Sequence, residues 1–532
     1  MHHTSMVTIG STDIRNNRLT AFLQKAVSTV VLIASGVPAL AQLPTLGDGS
    51  DMTSSVERRL GDRIAREIYR DPDYIDDPVL IEYLQGIWQP LLAAARTRGE
   101  ITPELDERFA WEIMLARDRS VNAFALPGGY LGVHLGLISV VSSRDELASV
   151  LGHELSHVTQ RHISRLTSKQ GQQAPWMLGA MILGVLAASK SVDAANALMV
   201  GGQAIAAQNQ LNFSRDMERE ADRVGYGVMT LAGFDGAGFT SMFDKLQQAS
   251  RLNDNGAYPY LRSHPLTTER MADMHARQPQ TITGAEVLVT SPEHAMMAAR
   301  ARVLASPGVE PLGDLLAEAQ DARLATMSIP RQVGVLYGAA LAASRQRNFA
   351  LAVGLLGRLA PLVREPAGAA RQFGLLQAEV ALAAGQGPQA LALLRGAPQS
   401  RFDMAESSVS SRPELVLGAQ AAIMGRQGAE LAKATQMLQT RVATHPRDAL
   451  AWQLLATAYG AQGQTMRAIR ADAEVRVAAL DYAAALDRFK AAQQLVRQGG
   501  AGQGAADHIE ASILDTRRRQ IESLLKEQAL DR

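Results

Sequence analysis

The 532-residue sequence contains no cysteine. That absence excludes a disulfide scaffold, a thiol nucleophile, a thiolate metal site and an iron–sulfur cluster. Any metal must therefore be held by histidine and carboxylate. Net charge is also missing. The 53 Lys+Arg balance the 53 Asp+Glu, so the chain as a whole gives no reason to expect nucleic acid or an anionic membrane as partner. Aromatic residues make up only 5%, which with plentiful Ala and Leu favours helices over a sandwich or barrel. What is present is globular in composition, with 47% hydrophobic and 20% charged residues. At about 150 residues per domain, the length predicts roughly two to four domains.

The N-terminal segment reads as a leader. Arg15, Arg18 and Lys25 precede an apolar run from Ala26 to Val37, and Ala39-Leu40-Ala41 follows as a small-x-small cleavage signature. This is the three-part layout of a secretory signal over residues 1–41, with cleavage near Ala41. The run is shorter than the about 20 residues a membrane-spanning helix needs. The stretch before Arg15 is long for a basic region, so Met6 or a later position is a candidate start. The alternative is an uncleaved amphipathic anchor. The layout predicts export to a bacterial periplasm.

Beyond the leader the chain changes character three times. Residues 50–120 read as helical and charged. From Val121 to Tyr130 the pattern is strand–turn–strand about Pro127-Gly128-Gly129, and Tyr130 to Val141 continues as an apolar, strand-like run. Ser143 and Glu146 then form a capping box that places a helix start just before Asp145. Residues 167–209 form an insertion whose stretch from Ala174 to Ala188 is almost wholly apolar. It is short for a membrane span, and an interfacial or buried hairpin over a cleft fits it better. After about residue 285 the chain is Ala/Leu-rich and helical, with Gly- or Gln-rich breaks. Equivalent alanines of these breaks, Ala350, Ala390, Ala432 and Ala468, recur at separations of 40, 42 and 36 residues. This is a loose helix–turn–helix repeat, and Trp452, Leu455, Tyr459 and Ala468 approach the tetratricopeptide pattern.

The chemistry concentrates in His153-Glu154-Leu155-Ser156-His157. Residues four apart on a helix share one face, so His153 and His157 can bind one zinc ion together. Glu154 lies about 100° round the helix, within reach of an attacking water without being a ligand. A third protein ligand is needed, and the candidate helix is Ser214 to Asp222. Met217, Ala221, Val224 and Val228 make its apolar stripe, with Glu218 and Asp222 one turn apart on one flank. Glu220 falls roughly 160° from Glu218, on the flank expected to be solvated. Helical geometry thus favours Glu218 as ligand, against an ordinary surface carboxylate. Asp222 is suited to accept the second N–H of a ligand imidazole. His162 falls about 140° off the ligand face and is not expected to be a ligand. His134 and His275 carry no such signal.

The His-Glu-x-x-His helix, the distant Glu-x-x-Ala-Asp and the segment Asn122 to Gly129 resemble the zinc metallopeptidase family that includes the prenyl-protein protease and the HtpX-like proteases. The leader and C-terminal repeats narrow the resemblance to exported, repeat-bearing members. The resemblance implies zinc as cofactor, one per chain, with His153, His157 and Glu218 as ligands and Glu154 as the catalytic base. It implies that the strand at Gly129, Tyr130, Leu131 and Gly132 is an edge to which extended substrate adds. The segment Arg262-Ser263-His264-Pro265, followed by Arg270, resembles the family's Ser-His-Pro loop, which makes His264 a conditional fourth ligand or a transition-state donor; a packing role is the alternative.

The expected architecture is mainly α. A zincin-like metallopeptidase domain with a small β-sheet (42–285) precedes an α-solenoid of tetratricopeptide-like repeats (286–532). The resemblance further implies clients among unfolded or stalled envelope and outer-membrane proteins, with the outer-membrane assembly machinery as a partner of the repeats. It implies a place in the periplasm, peripheral to the outer membrane. Nucleic acid is not expected. Two other readings stay open: a tetratricopeptide-type chaperone or scaffold with little proteolysis, and a zinc hydrolase acting on cell-wall peptides.

Overall fold

A computed structural model describes residues 52–169, 214–251, 257–278, 290–396, 411–426, 428–497 and 505–530. The expected leader and all but the first residues of the apolar insertion lie outside these ranges. The described residues form one compact unit. No described helix is long and apolar enough to cross a membrane.

Helix α1 (Ser54–Arg70) starts where the Thr53 hydroxyl accepts from Val56 N–H, and α2 (Pro78–Thr97) where Asp77 accepts from Leu80 N–H. Each side chain satisfies an amide that the first helical turn leaves unpaired. Strand β1 (Tyr74–Ile75) lies between them, and the short α3 (Pro103–Arg108) leads into β2 (Glu112–Ala116). Strands β3 (Ala123–Leu126) and β4 (Tyr130–His134) form an antiparallel hairpin. The sheet order is β1-β2-β4-β3, with β2 and β4 parallel.

The hairpin turn depends on its glycines. Gly128 and Gly129 have φ of 73° and 83°, a region that L side chains rarely adopt. A Cβ on Gly128 would stand 2.8 Å from Arg58 Cα, and one on Gly129 2.8 Å from Phe109 Cβ. The turn therefore packs backbone-close against α1 and the β2 approach.

The strand-like run from Tyr130 to Val141 divides. Strand β4 ends at His134, and Leu135–Val140 is helix α4, buried through Ile138. Periodicity cannot separate a fully buried strand from a fully buried helix, because no solvated face marks the period. Helix α5 (Arg144–Thr159) begins at the expected cap, with Ser143 Oγ accepting from Glu146 N–H at 3.1 Å. It is followed by α6 (His162–Lys169), α7 (Arg215–Leu231), α8 (Ala237–Arg251), the single turn α9 (Tyr260–Ser263) and α10 (Thr268–Ala276).

The remaining helices are α11 (Pro292–Ala305), α12 (Val309–Gln320), α13 (Ile329–Arg345), α14 (Phe349–Leu359), α15 (Ala367–Ala383), α16 (Gly387–Gly396), α17 (Arg412–Gly425), α18 (Gly428–Thr444), α19 (Ala449–Ala461), α20 (Thr465–Ala478), α21 (Tyr482–Arg497) and α22 (Ala505–Leu530). Most pack on their sequence neighbours, whereas α11 packs chiefly on α13 and on α4. The expected boundary near 286 falls outside the described residues, and a single apolar core runs across it, joining Val79 through Met274 to Met296 through Ala421.

Arginines of the helical region reinforce that join. Arg300 bridges Asp77 and Glu379, each at 2.7 Å. Arg371 bridges Glu82 and Glu414, also each at 2.7 Å. Arg412 bridges Asp76 at 2.6 Å and Asp448 at 2.9 Å. Arg447 reaches Glu112 and donates to the Tyr130 hydroxyl, both at 3.0 Å. In each of the first three, one acid belongs to the 76–82 segment and the other to a later helix or its cap. The guanidinium fork suits such two-acid bridging, and burial makes a missing partner costly. Arg300→Ala is expected to lower stability by about 3–5 kcal/mol, because it strands two carboxylates. Adding Asp77→Asn, which keeps the cap on Leu80 but removes one stranded charge, should recover part of that loss. Urea unfolding of the three chains checks this; an unchanged midpoint for Arg300→Ala would contradict it.

Candidate metal centre

Helix α5 delivers His153, Glu154 and His157, all at most 2% exposed. Helix α7 crosses it closely because both carry glycine at the contact. A Cβ on Gly225 would lie 3.0 Å from the backbone of Gly152 and His153. This approach faces His153 toward Glu218 and Asp222, which sit one turn apart on α7 and are each 1% exposed. The Ser214 hydroxyl caps α7, and Met217, Ala221, Val224 and Val228 bury the expected stripe. Turn α9 and the residues after it bring in His264, and α10 brings in Arg270.

One ligand atom from each of His153, His157, Glu218 and His264 lies within 4.8 Å of the others. Nε2 of His157 is 3.0 Å from Nε2 of His153, which is 3.3 Å from Nδ1 of His264. His264 Nδ1 is 2.9 Å from Glu218 Oε1. Glu218 stands 3.4 Å from His157 Nε2 and 3.5 Å from His153 Nε2. Tetrahedral zinc with ligand bonds of about 2.0–2.1 Å sets its donors about 3.3 Å apart, so the donor set fits. The chemistry agrees: three imidazoles and one carboxylate, all buried, offer nitrogen and oxygen donors to a common space.

Each candidate ligand is held from behind. Nδ1 of His153 is 2.9 Å from Asp222 Oδ1, close but off the line of a straight hydrogen bond. Arg270 donates from Nε and Nη2 to the two Asp222 oxygens at 2.6 and 2.7 Å. It also places Nη1 2.8 Å from Glu218 Oε2 and donates to Pro265 C=O at 2.9 Å. Behind His157, Nδ1 meets Nδ1 of His162 at 2.9 Å, and His162 Nε2 faces Glu220 Oε2 at 3.1 Å.

Burial and these contacts set the protonation pattern. Burial pushes Glu218 and Asp222 up, but His264 and His153 beside Glu218, and Arg270 beside Asp222, more than reverse this and hold both carboxylates low. Burial pushes His153 down, yet its two carboxylate neighbours raise it to about 9. Burial holds His157 well below the usual range and His162 at about 4, so both favour the neutral imidazole. Burial raises Glu154. Its Oε2 accepts from Ala125 N–H at 2.9 Å, while its Oε1 is 3.4 Å from His264 Nε2 and has no hydrogen bond.

The structure thus brings together His153, His157, Glu218 and His264, with Glu154 alongside and Asp222 behind. Gly129, Tyr130, Leu131 and Gly132 require a correction. Strand β4 is interior, paired with β2 and β3, and all four residues are buried. The Tyr130 hydroxyl donates to Asp62 at 2.6 Å and accepts from Arg447. Gly132 is a spacer for Phe124, whose ring lies 2.2 Å from where a Cβ would stand. An apolar strand reads as substrate edge or sheet interior alike, and only the pairing order separates them.

The edge beside Glu154 is β3. Asn122 C=O accepts from His134 N–H across the hairpin, while Ala125 N–H points to Glu154. By alternation Ala123 and Ala125 turn their backbone groups to the open side. Further along this line Val121 exchanges bonds with Ala257 C=O and Tyr260 N–H, so the His264 segment is tied to the same edge. Sequence reasoning also missed Arg270's bridge, Tyr260 stacked 4.6 Å from the His264 ring, and His162 with Glu220. The five-residue offset of His162 is visible in the sequence, but the helix break at Arg161, with φ 51°, is not.

Comparison with known proteins agrees with this geometry. The model of peptidase family M48 matches residues 92–278. The chain is 28% identical over 482 residues to the beta-barrel assembly-enhancing protease of Escherichia coli, covering 89% of this chain and 92% of that one. It is 33% identical over 295 residues to a putative beta-barrel assembly-enhancing protease of Vibrio cholerae, covering 53% of this chain and 57% of that protein. It is also 31% identical over 164 residues to the mitochondrial metalloendopeptidase OMA1 of Arabidopsis thaliana, covering 31% of each. The chain therefore carries a peptidase family M48 domain around its buried histidine–carboxylate cluster, and it is a zinc metalloendopeptidase.

Proposed function

We propose that this enzyme is exported to the periplasm and cleaves misfolded or stalled envelope proteins, β-barrel proteins of the outer membrane among them, while also assisting their assembly. The observation that carries the peptide-cleaving part is the edge of β3, which no other strand pairs among the described residues and which reaches Glu154 through Ala125 N–H. A chain added along that edge by main-chain pairing runs past the donor cluster. Backbone recognition suits unfolded clients of varied sequence, and the neutral net charge leaves little role for charge steering. The names of the bacterial relatives support β-barrel clients. The basic–apolar–small layout of residues 1–41 supports export, with a place peripheral to the outer membrane. The helices after residue 290, read as tetratricopeptide-like repeats, offer a surface for clients or for the outer-membrane assembly machinery.

In this reading His153, His157 and Glu218 hold the zinc and Glu154 is the general base. Zinc, when bound, supplies a Lewis acid that polarises the scissile carbonyl and lowers the pKa of water toward about 7. Glu154 takes the proton of the attacking water on a carboxylate oxygen and returns it to the leaving amine. Burial, which raises its pKa, matches it to carrying a proton between those two steps. Asp222 and Arg270 keep His153 and Glu218 in place. His264, 2.9 Å from Glu218 and 3.4 Å from Glu154, occupies the position substrate or water needs, so it is read as a gate that must withdraw. The same observation favours a second reading, a chaperone or scaffold that spends most of its time proteolytically silent.

Glu154→Gln should retain one zinc per chain by metal analysis and lose at least about 100-fold in cleavage of an unfolded outer-membrane protein. Undiminished cleavage would remove Glu154 from the mechanism. Glu218→Ala should reduce bound zinc, and a chelator should abolish cleavage of the wild-type substrate; unchanged metal content would place the ligand elsewhere. For His264→Ala, faster cleavage at unchanged zinc content supports the gate. A dead, zinc-replete variant makes His264 a transition-state donor instead, and unchanged activity leaves it a packing residue.

A further inference from the structure

We propose that His162 and Glu220 are positioning residues for the zinc centre, holding the His157 ring in the tautomer that leaves Nε2 free to ligate. His157 Nε2 is the atom that faces His153 and Glu218. A neutral imidazole that ligates through Nε2 carries its proton on Nδ1, and that proton needs an acceptor. The acceptor at 2.9 Å is Nδ1 of His162, whose side chain is fully buried. For His162 Nδ1 to accept, the His162 proton must sit on Nε2, where Glu220 Oε2 receives it at 3.1 Å. Arg165 Nη1 lies 2.8 Å from that same oxygen, which keeps the end of the relay anionic. Every polar atom along this line has one consistent role: donor at His157 Nδ1, acceptor then donor on His162, acceptor at Glu220.

The backbone is shaped for this contact. Helix α5 ends at Thr159, and Arg161 takes φ 51°, so the helical path breaks there and His162, the first residue of α6, lies against His157. The two ligand imidazoles are thereby supported differently. On the Nδ1 side His153 faces the Asp222 carboxylate directly, whereas His157 faces the His162 ring, with the Glu220 carboxylate beyond it. Partners of this kind fix ring orientation and commonly affect metal affinity by 10–100-fold.

The inference rests on zinc at His157, and the test separates the two. Zinc affinity of the full-length chain is measured by competition with a chromogenic chelator, alongside the thermal midpoint of the metal-free protein. His162→Leu should weaken zinc by about 10–100-fold, and by far more than it shifts the metal-free midpoint. His162→Asn, whose Oδ1 replaces Nδ1 as acceptor, should recover most of the affinity. Glu220→Gln, which still accepts, should stay near wild type, and Glu220→Leu should fall below it. If His162→Leu does not fold, the Glu220 pair, at a partly exposed position, decides the matter. Wild-type affinity in His162→Leu, or an asparagine variant no better than the leucine one, overturns the relay while leaving the zinc reading intact. A wild-type chain that binds no zinc overturns both.

Discussion

Two carboxylates one helical turn apart cannot both stay ionised in a dry interior unless a cation lies between them. In this protein Arg270 is that cation. It grips both oxygens of Asp222 and approaches one of Glu218, with its own exposure at 3%. Asp222 is thereby kept charged, while His264 and His153 beside Glu218 hold that carboxylate low. The same guanidinium bonds Pro265 C=O, which ties the loop carrying His264 to the metal side of the cluster. Helix α7, the His264 loop and α10 are organised around this one side chain.

Close helix packing does the complementary work. Glycines at 152 and 225 let α5 and α7 meet backbone to backbone, which places the carboxylates of one helix opposite the imidazoles of the other. On the far side of α5, Ala125 N–H of β3 bonds Glu154, so His153, His157 and the β3 strand are all referred to a single helix. That helix is buried on nearly all sides. The result is preorganisation: the donors sit near zinc spacing, and the backing residues remove the freedom that binding would otherwise have to freeze out.

The helical region after residue 290 belongs mechanically to the same body. Its arginines at 300, 371, 412 and 447 bond acids at 77, 82, 76 and 112, and Arg447 also reaches the hydroxyl of Tyr130 in the central strand. These helices are thus fixed in position relative to the metal cluster. The continuous apolar core beneath these ion pairs contributes the larger part of the attachment, since exposed portions of such pairs are screened by water.

What the sequence determined by itself was local and periodic. His153 and His157 share a face because four residues nearly complete a turn, and the same arithmetic put Glu218 and Asp222 together. It also gave the apolar stripe of α7, the cap at Ser143 and the turn at Pro127–Gly129. The absence of cysteine confined the metal to these residue types. Tertiary structure decided whatever depended on which segments meet. It made β4 the interior strand and β3 the edge, it made Tyr130 and Gly132 packing residues, and it brought His264 and Arg270 into the cluster. It also turned His162 and Glu220, which helical angles place off the ligand face, toward His157. A helical wheel extends only as far as its helix, and α5 ends at Thr159, with the left-handed Arg161 between it and His162. Strand order and the meeting of distant helices are set by long-range packing, and that information lies in no single stretch of residues.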